Sequence, residues 1–356
     1  MLISLILLFI VCMALSFYEE RLLQRDKIII YMLLGIAMIM IAGFRVAGVT
    51  PDSEAYEEMY YSGSKSITDK LTEPSFIFIR DVLLSYHLGI NALFFVYALI
   101  SVPLRLTAIW KLSNLPLLTL CMYISFYYQL HDVVQIRCAV ASALFLLALY
   151  YRLEHKTYYS LLCIFCGWLF HYSAIVGLII FLLDNKPLKQ WHGVIMYLII
   201  PLGIVFSISG WDIAQFVPTE LGGDKLQMYR ELKDKGIEGE LEGIPFYRAP
   251  AILLNICLYY GCLFYRQTLS ECNKYFPMLM KIMGIAFICK FTLGNLSSVL
   301  ASRLFEYFDV VSIFLWTMAV YAFYPRIAGK IVVNLASTVR FLTSALIFVL
   351  GLGNNH

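Results

Sequence analysis

Charge is what this sequence has little of. Of its 356 residues only 14% are Asp, Glu, Lys or Arg, while 61% are hydrophobic and the mean hydropathy is +0.76. Soluble domains carry about 25% charged residues, so a soluble globular domain is excluded and a polytopic membrane protein is expected. The net charge is only +3, and the basic residues are scattered through short loops. That distribution offers no footprint for nucleic acid.

Other absences narrow the class further. No Gly-rich phosphate loop follows a strand pattern, and Gly222-Gly223 reads only as a turn. Nearly all the cysteines fall in apolar stretches; Cys163 and Cys166 form a C-x-x-C, but the second ligand pair of a zinc site is missing. They are expected to pack as small hydrophobes. No Gly-x-Ser-x-Gly and no aspartate pair within helices supports an intramembrane protease. No internal repeat supports a two-fold transporter. Met1–Tyr18 has neither a basic leader nor a small-residue cleavage site before Glu19, so it is expected to stay as a first helix.

Long hydrophobic runs are what the chain has in abundance. Candidate spans are Leu2–Tyr18, Lys27–Gly43, Ile90–Ile109, Leu115–Leu130, Cys138–Tyr151, Tyr158–Phe170, Ser173–Leu183, Gly193–Ser209, Pro250–Tyr265, Pro277–Leu296, Leu304–Tyr324 and Ile331–Leu350. This predicts a single integral membrane domain, residues 1–356, with about twelve transmembrane helices, some short or broken. One set of alternate connections is basic throughout: Arg21, Arg25 and Lys27; Lys111; Arg152 and Lys156; Lys186 and Lys189; Arg266, Lys274 and Lys281; Arg326 and Lys330. Basic loops stay in the cytoplasm, so both termini are expected outside. Tyr158–Leu183 could be one long kinked helix, and that pattern favours instead a hairpin broken at His171.

The outward set holds two long loops, 44–89 and 210–249, both leaning acidic. In the first, Phe76–Tyr86 with Pro74 ahead of it predicts an amphipathic helix lying in the interface. The second, rich in Gly and charge, is expected to face substrate as a lid.

Polar groups that do occur beside apolar helices concentrate on this outer side. His131, Asp132, Gln135 and Arg137 lie between two apolar segments, where charge is costly and marks either a headgroup cap or a functional cavity. Arg45, Arg80, Arg137, Arg248 and Arg303 all fall at outer helix ends. Arginine forks suit a diphosphate, and the bland alternative is snorkelling to headgroups, which is favoured for Arg80 and Arg248. His171, at the break between two short helices, is suited to proton transfer or to a pyrophosphate oxygen, or else is a buried structural histidine. Asp52 and Tyr56, four residues apart, would share one face of a helix beginning after Pro51 and could grip sugar hydroxyls. A solvated helix start with Asp52 near the positive end of the dipole is the equal alternative. Glu73 is a further acidic candidate.

Taken in order, Gly43-Phe44-Arg45, Asp52-x-x-x-Tyr56, Glu73-Pro74, Gln135-Ile136-Arg137-x-Ala139, His171-Tyr172-Ser173-Ala174 and Ser302-Arg303-x-x-x-Tyr307-Phe308 resemble the EpsG branch of the Wzy polysaccharide polymerases. The resemblance implies a GT-C-like glycosyltransferase in the bacterial inner membrane with its active site facing outward. It would join undecaprenyl-diphosphate-linked oligosaccharide units in O-antigen, capsule or exopolysaccharide synthesis, without nucleotide sugar, metal or cofactor. Its partners would be the lipid-linked glycan donor and acceptor, membrane lipid, a chain-length regulator and a flippase. Arg45, Asp52, Arg137, His171 and Arg303 fall on the family's motif positions; Asp132 and Gln135 lie beside them. The expected roles are diphosphate binding by Arg137 and Arg303 with help from Arg45, and orientation or deprotonation of the acceptor by His171 or Asp52. A lipid-linked oligosaccharide flippase or other transporter is the rival reading. A membrane acyltransferase is disfavoured because its donor site would face the cytoplasm.

Overall fold

The computed structural model describes residues 1–46, 48, 50, 52–62, 72–188, 190–211 and 250–353, and every regular element among them is helical. The chain divides into two compact units, Met1–Leu182 with Trp316–His356, and Leu183–Leu315.

The first unit begins with α1 (Leu2–Tyr18), α2 (Gln24–Gly43), α3 (Ser53–Tyr61), α4 (Pro74–Ser85), α5 (Ile90–Leu112) and α6 (Pro116–Ser125). A π-helix, Tyr128–Val134, leads into α7 (Ile136–Leu153), followed by α8 (Thr157–Phe170) and a 3-10 helix, Tyr172–Phe181. Pro74 and Pro116 open α4 and α6, where proline's missing N–H costs nothing. Helix α6 has no cap of its own, and Glu19 at the end of α1 serves instead: its carboxylate accepts from the amides of Leu117 (2.8 Å) and Leu118 (3.1 Å). A buried carboxylate is stabilised there by the positive end of the helix.

Helix α7 is buried almost all round, as befits the centre of a bundle. Helix α8 packs closely on it: a Cβ on Gly167 of α8 would sit 3.6 Å from the Ala141 carbonyl, in ordinary contact. Where α2 meets α5, a Cβ on Gly43 would lie 3.0 Å from the Phe95 Cα, which is backbone and cannot yield.

The chain reverses at His171, the alternative that the basic-loop pattern favours. The Cβ built on Gly167 comes within 3.5 Å of Ala174 Cβ, although seven residues of straight helix would separate them by about 10 Å. The returning arm is 3-10 rather than α-helical. Its tighter winding rises about 2.0 Å per residue, so ten residues reach about as far as the fourteen of α8.

Between Leu115 and Arg137 the structure departs from the expected pair of simple spans. The α-helix stops at Ser125, and the π-helix carries His131 and Asp132 into the protein interior instead of ending at the headgroups. The wider winding is sustained because the buried Asp132 carboxylate finds partners there, the hydroxyls of Ser101 and Tyr123.

The second unit holds α9 (Gln190–Ile208), α10 (Pro250–Phe264), α11 (Arg266–Cys272), α12 (Phe276–Leu293) and α13 (Ser298–Asp309). Gly203 gives Phe291 room against α9, Tyr259 donates to the Met196 carbonyl (3.1 Å), and the Asn255 amide donates to Asp309 Oδ2 (2.6 Å). Ser297 caps α13 by accepting from the Leu300 amide (3.3 Å). Helix α14 (Ser312–Ala319) returns the chain to the first unit, which ends in α15 (Arg326–Gly353).

Among the described residues four helices, α2, α5, α7 and α12, are long and apolar enough to cross a bilayer, and α13 with α14 and its continuation makes a fifth if that bent pair is one span. Six further apolar helices of 10–17 residues stand at predicted spans, among them α1, α6, α8 and the 3-10 helix. The chain is therefore an all-helical, multi-pass membrane protein.

Candidate functional site

In the first unit Glu73, Arg137 and His171, separated by as much as 98 residues, converge on one carboxylate. Glu73 Oε2 accepts from Arg137 Nη1, and Glu73 Oε1 lies 3.1 Å from His171 Nδ1. Local structure explains the meeting. Glu73 is the N-cap residue of α4, in extended conformation, with Pro74 fixing the first helical position. His171 is extended too, as the cap between α8 and the 3-10 helix. On either side of their contact, Tyr172 donates its hydroxyl to the Thr72 carbonyl (3.2 Å), and Ser75 donates to the Leu169 carbonyl (2.8 Å). Residues 72–75 and 169–172 are thus tied at three successive points.

Arg137 arrives from the first turn of α7. Its guanidinium lies 5.4 Å from the Tyr56 ring centre and 5.6 Å from that of Phe76, and the two rings are 6.2 Å apart. A planar, weakly hydrated cation is well held beside such a pair of rings. Exposure is graded: 2% of the Glu73 side chain is accessible, against 22% for both Arg137 and His171. The acid lies beneath, and the cation and the imidazole reach the surface above it.

Burial pushes the Glu73 carboxyl upward, but the His171 hydrogen bond and the Arg137 charge outweigh it and bring its pKa down to about 2. Glu73 is therefore ionised at any physiological pH. An ionised carboxylate on Nδ1 selects the tautomer protonated there and leaves Nε2 as the basic nitrogen. The arrangement can hold an anion at the arginine and accept a proton at the imidazole next to it.

The other sequence-predicted residues distribute as follows. Tyr56 is buried on α3 beneath Arg137, and Asp52 is the half-buried N-cap residue of that helix. Arg45 is buried; its Nη1 donates to the carbonyls of Ala42 (3.2 Å) and Asp132 (3.1 Å), and its guanidinium covers the Phe94 ring at 3.7 Å. Asp132 itself is enclosed, its carboxylate occupied by Ser101 and Tyr123, so it is not on the accessible face with Arg137. Gln135 is the buried N-cap residue of α7. Arg303 sits on α13 in the second unit, next to Ser302, whose hydroxyl accepts from Lys290 (2.8 Å). Arg248 and the 210–249 loop from residue 212 onward lie outside the described residues.

Arg80, expected to snorkel to headgroups, does not. It is fully buried, with Nε donating to Asp81 Oδ1 (2.9 Å) and Nη1 to the Met59 carbonyl (3.4 Å), because α4 lays that face onto α3. Sequence reasoning also passed over Arg105, a fully buried arginine in α5. The signal was present: an arginine inside an otherwise apolar span must face the protein interior.

These features define a multi-pass membrane protein whose accessible chemistry is an arginine and an imidazole held on one buried carboxylate. The chain belongs to the EpsG family, whose model matches residues 28–354. No curated protein and no solved structure matches it.

Proposed function

We propose that the protein is a Wzy-type polysaccharide polymerase. It joins undecaprenyl-diphosphate-linked oligosaccharide repeat units on the outer face of the inner membrane, for O-antigen, capsule or exopolysaccharide. The family supplies the expectation of a polysaccharide polymerase, and the observation that carries the chemistry is Glu73 holding Arg137 and His171 together.

In this reading the exposed part of Arg137 grips the donor's diphosphate, stabilising the charge that develops as the diphosphate leaves. His171 takes the proton of the acceptor hydroxyl at Nε2 as that oxygen attacks the donor's anomeric carbon. The new glycosidic C–O bond forms, the bond to the diphosphate breaks, and the lipid diphosphate departs. Glu73 steadies the imidazolium that results. The diphosphate is already a good leaving group, so positioning and charge stabilisation supply most of what is needed. Tyr56 and Asp52 border the site from α3.

The twelve-span arrangement, a GT-C-like architecture and an outward-facing active site are part of the same proposal, supported by the basic loops on alternate connections. The test is the lipid-linked glycan ladder of cells carrying Arg137→Ala or His171→Ala at normal protein level. Collapse to single repeat units is expected, and a wild-type ladder from both variants would end the assignment.

A further inference from the structure

Where α5 meets the π-helix and the first turns of α7 lies a cluster of buried polar groups with no place in the chemistry above. Arg105, two-thirds of the way along the apolar helix α5, has 0% of its surface exposed. Its Nη2 donates to Ser142 Oγ (2.5 Å) and to the Ala139 carbonyl (3.3 Å), and its guanidinium lies 4.8 Å from the centre of the Tyr123 ring. One turn earlier on the same face of α5, Ser101 donates to Asp132 Oδ1; Tyr123 donates to Asp132 Oδ2. His131 Nδ1 lies 3.2 Å from the same Ser142 hydroxyl, and Arg45 bonds the Asp132 carbonyl.

A buried arginine and a buried aspartate among apolar helices are costly, and Arg105 Nε and Nη1 are buried with no hydrogen-bond partner among the described residues, so the pair calls for a reason beyond stability. Their anchor points supply one. Asp132 precedes Arg137 by five residues, and Ala139 and Ser142 follow it by two and five. Both flanks of Arg137 are therefore fastened to one face of α5, through Ser101 on one side and Arg105 on the other. Between them lie the end of the π-helix and the Gln135 cap, the places where the rotation of α7 is otherwise least determined.

We infer that Arg105 and Asp132 are positioning residues: they set the rotation of the first turn of α7 and thereby aim the Arg137 guanidinium at its ligand. The inference rests on the polymerase reading for its activity readout and on structure alone for its second readout. Displacing a positioned group by about 1 Å costs on the order of 100-fold in rate, so Arg105→Met at matched folded protein should lower turnover about 10- to 100-fold.

The deciding measurement is a double-mutant cycle with Arg137→Lys, which keeps the charge and loses the fork. If Arg105 acts through the aim of that fork, Arg105→Met added to Arg137→Lys costs less than about 3-fold more. A fully multiplicative loss overturns the inference. Ser142→Ala removes one of the two ties between Arg105 and α7, leaving the Ala139 carbonyl, and keeps the test open should Arg105→Met fail to fold; it should show the same non-additivity. In parallel, modification of Arg137 by phenylglyoxal, followed by mass spectrometry of the purified full chain, should be several-fold faster in Ser142→Ala than in wild type. Unchanged reactivity overturns the inference without any assay of turnover. Wild-type protein that fails to extend a lipid-diphosphate oligosaccharide, yet shows the reactivity change, overturns the polymerase reading and leaves the positioning intact.

Discussion

Glu73 Oε1 stands 3.1 Å from His171 Nδ1, and the same carboxylate's other oxygen takes the Arg137 hydrogen bond. One acid therefore sets two groups at once: the tautomer and orientation of the imidazole, and one edge of the guanidinium. Substitutions at Glu73 should consequently resemble loss of both partners rather than of one.

Glu73→Gln keeps the shape of the side chain and removes its charge. Catalysis should fall by about 100-fold or more, the range attributed to a positioned acid or base. The glutamine is also expected to leave Arg137 without its counter-charge, costing roughly 2–3 kcal/mol, below the 3–5 kcal/mol of a fully buried pair because Arg137 and His171 keep contact with solvent. Thermal unfolding in detergent and ladder formation in cells separate the two losses.

The pH dependence of that stabilisation has a definite sign. The folded carboxyl, at about 2, lies below its unfolded value near 4.5, so the unfolded state binds the proton more readily. The contribution is complete above the unfolded value and is lost as pH falls toward the folded one. The Tm difference between wild type and Glu73→Gln should thus shrink as pH falls from about 4.5 to 2. A difference that persists undiminished down to pH 2 would show that Glu73 is not held ionised by its partners.

Much of this was legible in the sequence. The reversal at His171 was the alternative favoured by basic residues on alternate loops, helix α4 followed from Pro74 and its apolar periodicity, and Arg137, His171 and Glu73 each stood out as candidates among the few polar residues of the outer side. Their convergence on one carboxylate was not, because pairing across 98 residues depends on how α4, α7 and α8 pack, and no local pattern encodes it. The fate of Asp132 was hidden for a related reason: Ser101 and Tyr123 are unremarkable within apolar runs until a π-helix turns the aspartate toward them.

Arg80 offers a contrast with Arg137, since it is buried between α3 and α4 with partners only in the protein. Arg80→Met is expected to lower the amount of folded protein while leaving turnover per folded molecule within about 2-fold, as for a residue acting through stability alone. Arg137→Lys should do the reverse, with normal abundance and a loss in turnover. Quantitative immunoblotting beside the glycan ladder checks both.

Gly43 closes α2 on α5 two residues before Arg45 enters the interior. A methyl there would stand 2.7 Å from Phe95 Cδ2 and 3.0 Å from its Cα, and the second contact is relieved only by moving one helix. Gly43→Ala should destabilise by about 1–3 kcal/mol, the usual cost of overpacking. Because the shift also moves Arg45 relative to the Asp132 carbonyl, activity should fall further than the stability loss accounts for. Thermal unfolding against turnover at matched folded protein measures the excess.

The outward orientation of the site is open to direct labelling at Lys186, whose side chain is exposed on the short loop after the 3-10 helix. If alternate basic loops lie in the cytoplasm, Lys186→Cys in intact cells should resist a membrane-impermeant maleimide and react only after permeabilisation. A cysteine at Tyr86, exposed at the end of α4, should react in intact cells, since that loop lies on the opposite side. Reaction at position 186 and protection at position 86 would place the Glu73–Arg137–His171 group on the cytoplasmic face, where no lipid-linked repeat unit awaits polymerisation in the proposed scheme. Reaction at both would mean that the reversal at His171 does not return the chain across the bilayer.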